Sequence, residues 1–142
     1  MANPDLTRFI EAHRQSYQSA LSEIRNGRKT SHWMWYIFPQ LLGLGHSPIS
    51  RYYSIRDLDE AEAFLRNPYL GGNLLEICRA LLALHTDDAT AVFGKPDDMK
   101  LRSSMTLFSL VDGCDPVFRE VLDKYFGGKR DLRTLELLGK ED

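Results

Sequence analysis

The 142-residue chain reads as an all-α protein, and three observations predict this. Apolar residues recur at steps of three and four along several segments, with capping residues and glycines at their ends. No segment alternates polar and apolar residues for more than about four positions. β-branched residues are sparse. Length and composition agree with one folded unit spanning 1–142. Hydrophobic residues make up 43% and charged residues 27%, which excludes a disordered or low-complexity chain. There is no internal repeat and no shift in composition to mark a second domain. About eight helices are expected.

Asn3-Pro4 has the form of a helix start, because proline lacks only an N–H that the first turn leaves free. Leu6, Phe9, Ile10, His13, Tyr17, Ala20, Leu21 and Ile24 then form one apolar face, and Asn26-Gly27 supplies a stop. After a basic connector, Ser31 is placed to cap a short helix that Pro39 must end. Leu41 to Ser47 is glycine-rich and reads as a loop; Ser47-Pro48 starts another short helix. Asp57-Leu58-Asp59-Glu60 resembles a capping box and opens a helix through Leu65.

The next helix begins at Asn67-Pro68 or at Gly72-Asn73. Its residues Leu74, Leu75, Ile77, Cys78, Leu81 and Leu82 are apolar over so wide an arc that it belongs near the centre. Thr86-Asp87 caps a short helix ended by Gly94. Pro96-Asp97-Asp98 starts a second helix that is apolar on several sides, through Met99, Leu101, Met105, Leu107, Phe108, Leu110 and Val111. Asp115-Pro116 and Asp131 begin the last two helices, separated by Gly127-Gly128.

Several functions are excluded at this level. Twenty acidic and 18 basic residues leave a formal charge of −2, so no general basic field exists to hold nucleic acid. No apolar run has the ~18 to 20 residues of a membrane span. Two cysteines, Cys78 and Cys114, are too few for a disulfide framework or a structural zinc site. Cys78 reads as a small core residue, and acidic neighbours oppose ionisation of Cys114. The polar, acidic N-terminus carries no signal-peptide pattern, so a reducing cytoplasm is expected. The four histidines lack metal-ligand spacing, no metal or cofactor is expected, and the common phosphate-loop, nucleophile-elbow and zinc motifs are missing.

Two segments have residue types suited to chemistry. In the first, Trp33, Trp35, Tyr36 and Phe38 crowd beside Lys29, His32 and Gln40. On a helix, Trp33, Tyr36 and Ile37 share one side, while His32, Trp35 and Pro39 share another. Such a segment suits a pocket wall with rings for stacking a planar base; its alternative is a core element in which the tryptophans are packing mass. The second segment places Asp97 and Asp98 at a helix start, Lys100 and Arg102 a turn later, and Ser103, Ser104 and Thr106 within an apolar helix. Hydroxyls in a buried helix need partners, or allow close packing. Arg51-Tyr52-Tyr53-Ser54 is a third and weaker signal.

These same residues carry a resemblance. Gly27-Arg28-Lys29, Ser31 to Gln40, Gly43-Leu44-Gly45, Asp57 to Ala61, Phe93 to Phe108 and Phe126-Gly127-Gly128 resemble the bacterial family called domain of unknown function 1810, over almost the whole chain. The resemblance implies a multihelical domain with two buried central helices and brings no activity. Members are sometimes labelled calpastatin, although nothing here looks like a disordered protease inhibitor. Arg79 to Leu82, Phe93-Gly94 and the helix after Lys100 are faintly similar to the end of the NADAR family, which implies ADP-ribose derivatives as substrates. Phe93 stands where that family has tryptophan, so no catalytic residue is carried over.

The expected function is a pocket for a small anionic, nucleotide-like ligand where the His32 and Lys100 segments meet. Arg51, Lys100 and Arg102 would neutralise phosphate, Trp33 or Trp35 would stack a base, and Ser103, Ser104 and Thr106 would orient it. As an enzyme, N-glycosidic hydrolysis of ADP-ribose-type substrates fits best, with Asp97 or Asp98 activating water and His32 donating a proton. The alternatives are a protein-interaction domain that anchors a partner on its aromatic segment, and a purely structural domain.

Overall fold

An aromatic spine runs through the molecule. Phe9, Phe64, Phe108 and Phe118, none of them exposed, follow one another at ring-centroid separations of 5.2, 5.4 and 5.7 Å. Each ring comes from a different helix, so the spine joins elements more than a hundred residues apart. The computed structural model describes residues 4–142, and nine helices lie among them: α1 (Thr7–Arg25), α2 (Met34–Ile37), α3 (Pro48–Tyr52), α4 (Leu58–Arg66), α5 (Pro68–Ala83), α6 (Ala89–Phe93), α7 (Asp97–Ser109), α8 (Val117–Phe126) and α9 (Leu132–Leu137). Among the described residues strand pairing is limited to one bridge between Leu41 and Ile55.

Local capping chemistry sets most of the boundaries. Ser47, Asp57, Asn67 and Asp131 each accept a hydrogen bond from a first-turn amide, which satisfies donors that a helix start leaves free. Asn67 decides between the two possible starts of α5. Three boundaries differ from expectation. Asn3 lies outside the described residues, and α1 begins only at Thr7, whose amide donates to Asp5 at 2.9 Å. Asp88 rather than Asp87 caps α6, because Thr86 Oγ1 accepts the Asp88 amide and turns the chain one residue later. Ser31 does not cap α2, since Glu23 holds both its amide and its hydroxyl.

The two helices that are apolar on several sides, α5 and α7, lie at the centre. α5 packs on α1, α4 and α8, and α7 packs on α4, α6, α8 and α9. The two helices meet where the Cys78 thiol reaches Met105 Sδ at 3.7 Å. Gly71 permits the tight α4–α5 joint: a Cβ there would lie 2.1 Å from the Leu65 carbonyl oxygen. The end of α5 is tied to α8: Leu81 O accepts Tyr125 OH at 2.6 Å besides the Leu84 amide, and Lys124 Nζ donates to Leu82 O and to Leu84 O just beyond the helix.

A buried polar joint fixes α1 against α2 and α5. His13 is 1% exposed, with Nε2 2.8 Å from Tyr36 O and Nδ1 3.1 Å from the Asn73 side-chain amide. A carbonyl only accepts, so Nε2 carries the proton and Nδ1 accepts from Asn73. Both nitrogens are satisfied by the neutral ring, and burial holds its pKa at about 4.

Candidate functional site

The aromatic segment and the start of α7 do meet. Lys29 sits beneath them, its ammonium 2.9 Å from Asp97 Oδ2, 2.6 Å from Ser31 O and 5.0 Å from the Trp33 ring centre. Lys100 approaches the other Asp97 oxygen at 3.5 Å and lies 5.8 Å from the ring of half-buried Trp35. One carboxylate therefore lies between two ammoniums, each set over an indole.

Glu23 of α1 holds the segment in place. Its carboxylate accepts from the amides of Thr30 and Ser31, the Ser31 hydroxyl and the Trp33 indole N–H, at 2.6 to 3.0 Å. Partial burial pushes this carboxyl upward, but the Ser31 hydroxyl, the two amides and the indole outweigh it and hold the pKa at about 2.

The expected site residues fall into two groups here. Trp35, Asp97 and Lys100 converge, joined by Lys29, which was not among the expected residues, and His32 is exposed in the turn before α2. The others face inward. Trp33 is 1% exposed and packs against Phe38 and Phe93. Asp98 is buried and accepts from Thr90 Oγ1 at 2.7 Å and from the Met99 amide at 2.8 Å. Ser103 Oγ donates to Met99 O, and Thr106 Oγ1 donates to Arg102 O while accepting the Asp131 amide at 2.9 Å. Arg102 stands 4.0 Å from Asp131, so it and Thr106 tie α9 to α7. Ser104 is fully buried, and its hydroxyl has no partner among the described residues.

Arg51 belongs to another place. It lines a cleft of about 590 Å³ between α1, α3 and the chain leading into α4, together with Arg8, Arg56, Glu11 and Tyr52. That volume lies within the range of small-ligand sites. Arg8 is largely committed: four of its five N–H donors go to Tyr52 O, Asp5 O, Ser54 O and Glu60 Oε1 at 2.8 to 3.1 Å. Glu60, 1% exposed, also accepts the Arg56 amide at 3.0 Å and the Arg56 guanidinium at 3.4 Å. Arg51 is exposed, and among the described residues it takes part in no ion pair. Tyr52 is 60% exposed beside it. Three guanidiniums thus stand against Asp5, Glu11 and the buried Glu60, and the uncommitted charge is that of Arg51 and the outer face of Arg56.

The family model described as protein of unknown function (DUF1810) matches residues 3–138. The chain belongs to the DUF1810 family. Its fold is also that of a solved structure, the conserved hypothetical protein Rv1873 from Mycobacterium tuberculosis, at 44% identity and a TM-score of 0.93, covering 96% of this chain and 98% of that one. No curated protein matches the chain.

In this DUF1810 domain the cleft depends on residues that sequence reasoning did not single out, namely Arg8, Arg56 and Glu60. Arg56 and Glu60 stand four apart at the start of α4, a spacing that allows an ion pair. Nothing local marks Arg8, which lies 52 residues from its carboxylate partner. Among the described residues, no helix is long and apolar enough to cross a membrane.

Proposed function

We propose that the domain binds a small anionic, nucleotide-like ligand in the cleft between α1 and α3. The observation that carries this reading is Arg51, a guanidinium with no ion-pair partner among the described residues, on the wall of a ligand-sized cleft, with Arg56 anchored beside it by buried Glu60. Two guanidiniums suit a phosphate, which they contact through paired N–H donors. The exposed Tyr52 ring offers a face for a base. Glu11 and Asp5 add acceptors for hydroxyl or amino groups, so the cleft suits a ligand that carries donors as well as an anion.

The proposal is of binding rather than cleavage. N-glycosidic hydrolysis of an ADP-ribose-type ligand would rest on His32, Asp97 and Asp98, and the two carboxylates are already engaged, Asp97 by two ammoniums and Asp98 by Thr90 and the Met99 amide. The free thiols of Cys78 and Cys114 suit a reducing, cytoplasmic setting.

A thermal-shift series with AMP, ADP-ribose and inorganic phosphate tests the reading. A ligand at a hundredfold excess over its dissociation constant adds about 2.7 kcal/mol, a rise of several degrees for a chain of this size. Arg51→Ala should remove the shift and leave the unliganded melting temperature unchanged. A shift that survives Arg51→Ala contradicts the cleft. A second reading, a docking surface for a protein, is favoured by the exposure of Leu42 (45%), Ile49 (41%) and Tyr52 beside the same cleft. It gains if no anion shifts the melting temperature.

A further inference from the structure

A second cavity, of about 320 Å³, lies on another part of the molecule, where α4, the start of α5 and the α7–α8 loop come together. Leu65, Leu75, Val111 and Cys114 wall it, over a floor at Phe118. Phe118 and Val111 belong to the core, whereas Leu65, Leu75 and Cys114 are only half-buried, so apolar surface is left uncovered here. The α4 and α5 backbones already touch at Gly71, where a Cβ would meet the Leu65 carbonyl oxygen, so the two helices cannot close over that surface. The Cys114 thiol is turned to Ser109 O at 3.6 Å, and burial, with Asp115 beside it, keeps it protonated. The wall therefore carries no charge. The rim is charged but balanced, with Glu62, Asp112 and Asp115 against Arg66, Arg79 and Arg119. Arg66 pairs with Glu62 at 3.0 Å and Arg79 with Asp115 at 3.5 Å. Arg119 follows Phe118 in the chain and acts on the Cys114 thiol more strongly than Asp112 does.

We infer that this cavity binds a small uncharged apolar molecule, of the size of one or two rings, against Leu65, Leu75 and Cys114. Such a molecule removes the uncovered leucine surface from water. An apolar cavity of about 150 Å³ holds benzene, so the space here takes a one-ring molecule with a short side chain. The balanced rim gives neither a cation nor an anion an unanswered charge to meet, and either ion loses hydration on entering. That neutrality sets this site apart from the arginine cleft, where Arg51 is uncommitted.

Backbone-amide NMR titrations with 2-phenylethanol, 2-phenylethylammonium and 3-phenylpropanoate test this. Protection of Cys114 from a maleimide, read by mass spectrometry on the intact protein, is a second readout, because Cys78 is buried and Cys114 is the accessible thiol. The alcohol should give saturable shifts at Leu65, Leu75, Gly113 and Cys114, with a dissociation constant of about 1 mM or below. Its affinity should be the same at low and high salt, and it should slow alkylation over the same concentration range. The ammonium and the carboxylate should bind alike, about tenfold more weakly than the alcohol. Leu75→Trp, which fills the cavity from α5, should abolish the shifts, and Asp112→Asn should leave the alcohol's affinity where it is. The wild-type shifts locate the site whether or not Leu75→Trp keeps its melting temperature. Tighter binding of either ion than of the alcohol, an alcohol affinity that moves with Asp112→Asn, binding that survives Leu75→Trp, shifts centred elsewhere, or no saturable shift overturns the inference.

Discussion

The Arg8 guanidinium lies 3.0 Å from the buried carboxylate of Glu60 and closes the inner wall of the arginine cleft. The pair joins α1 to the start of α4, and the same carboxylate holds Arg56 from the other side. Glu60 is thus the anchor from which the wall of the cleft is built.

Removing one partner of a buried pair strands the other, so Arg8→Ala should cost about 3 kcal/mol. The Arg56 side chain is 66% exposed, and Arg56→Ala should cost below about 1 kcal/mol, as exposed pairs do. Urea denaturation of the two variants at pH 7 checks the contrast. Equal losses would show that Glu60 does not depend on Arg8.

Acid should weaken the fold in two successive windows. His13 is held neutral with a pKa of about 4, against an ordinary 6.5, so as pH falls the unfolded chain takes up this proton first. Its contribution is complete above pH 6.5 and is lost as pH falls from 6.5 to 4, by roughly 3 kcal/mol in all. Glu23 is held at about 2, against 4.5; its contribution is complete above 4.5 and is lost as pH falls from 4.5 toward 2. Denaturation midpoints at pH 7, 5.5 and 4.5 should fall steadily, and an NMR titration should place the His13 ring near pH 4. A ring titrating near 6.5 would contradict the neutral buried joint.

Ser104 and Thr106 should respond in opposite directions. Thr106→Val leaves the Asp131 amide without its acceptor and loosens α9, at a cost of about 2 kcal/mol and with faster amide exchange over Leu132–Leu137. Ser104→Ala removes a buried hydroxyl that has no partner among the described residues, and should be neutral or stabilising by about 1 kcal/mol. Melting curves of both variants decide it; a large loss for Ser104→Ala would mean that its hydroxyl is used.

The elements were legible where their cause is local. A cap joins residues two or three apart, so Ser47, Asp57 and Asp131 could be read directly and Asn67 stood as one of two candidate starts, while the wide apolar arcs of α5 and α7 marked them as central. The site was legible only in part. Residue type suggests what a side chain can do, not where it points: Ser103 and Thr106 have pocket chemistry, yet Ser103 donates to its own helix and Thr106 divides its hydroxyl between its own helix and the Asp131 amide. Arg51 and Tyr52 were visible as a cation beside a ring, but Glu60 reaches Arg8 across 52 residues, and only the packing of α1 on α4 brings them together.

The most direct test of the central claim is a two-dimensional NMR titration of the domain with AMP, followed through its backbone amides and arginine side chains. Binding in the arginine cleft predicts saturable shifts concentrated at Arg8, Glu11, Arg51, Tyr52 and Arg56, and their loss in Arg51→Ala. Shifts centred instead on Lys29, Trp35 and Lys100, or no saturable shift at any residue, would contradict it.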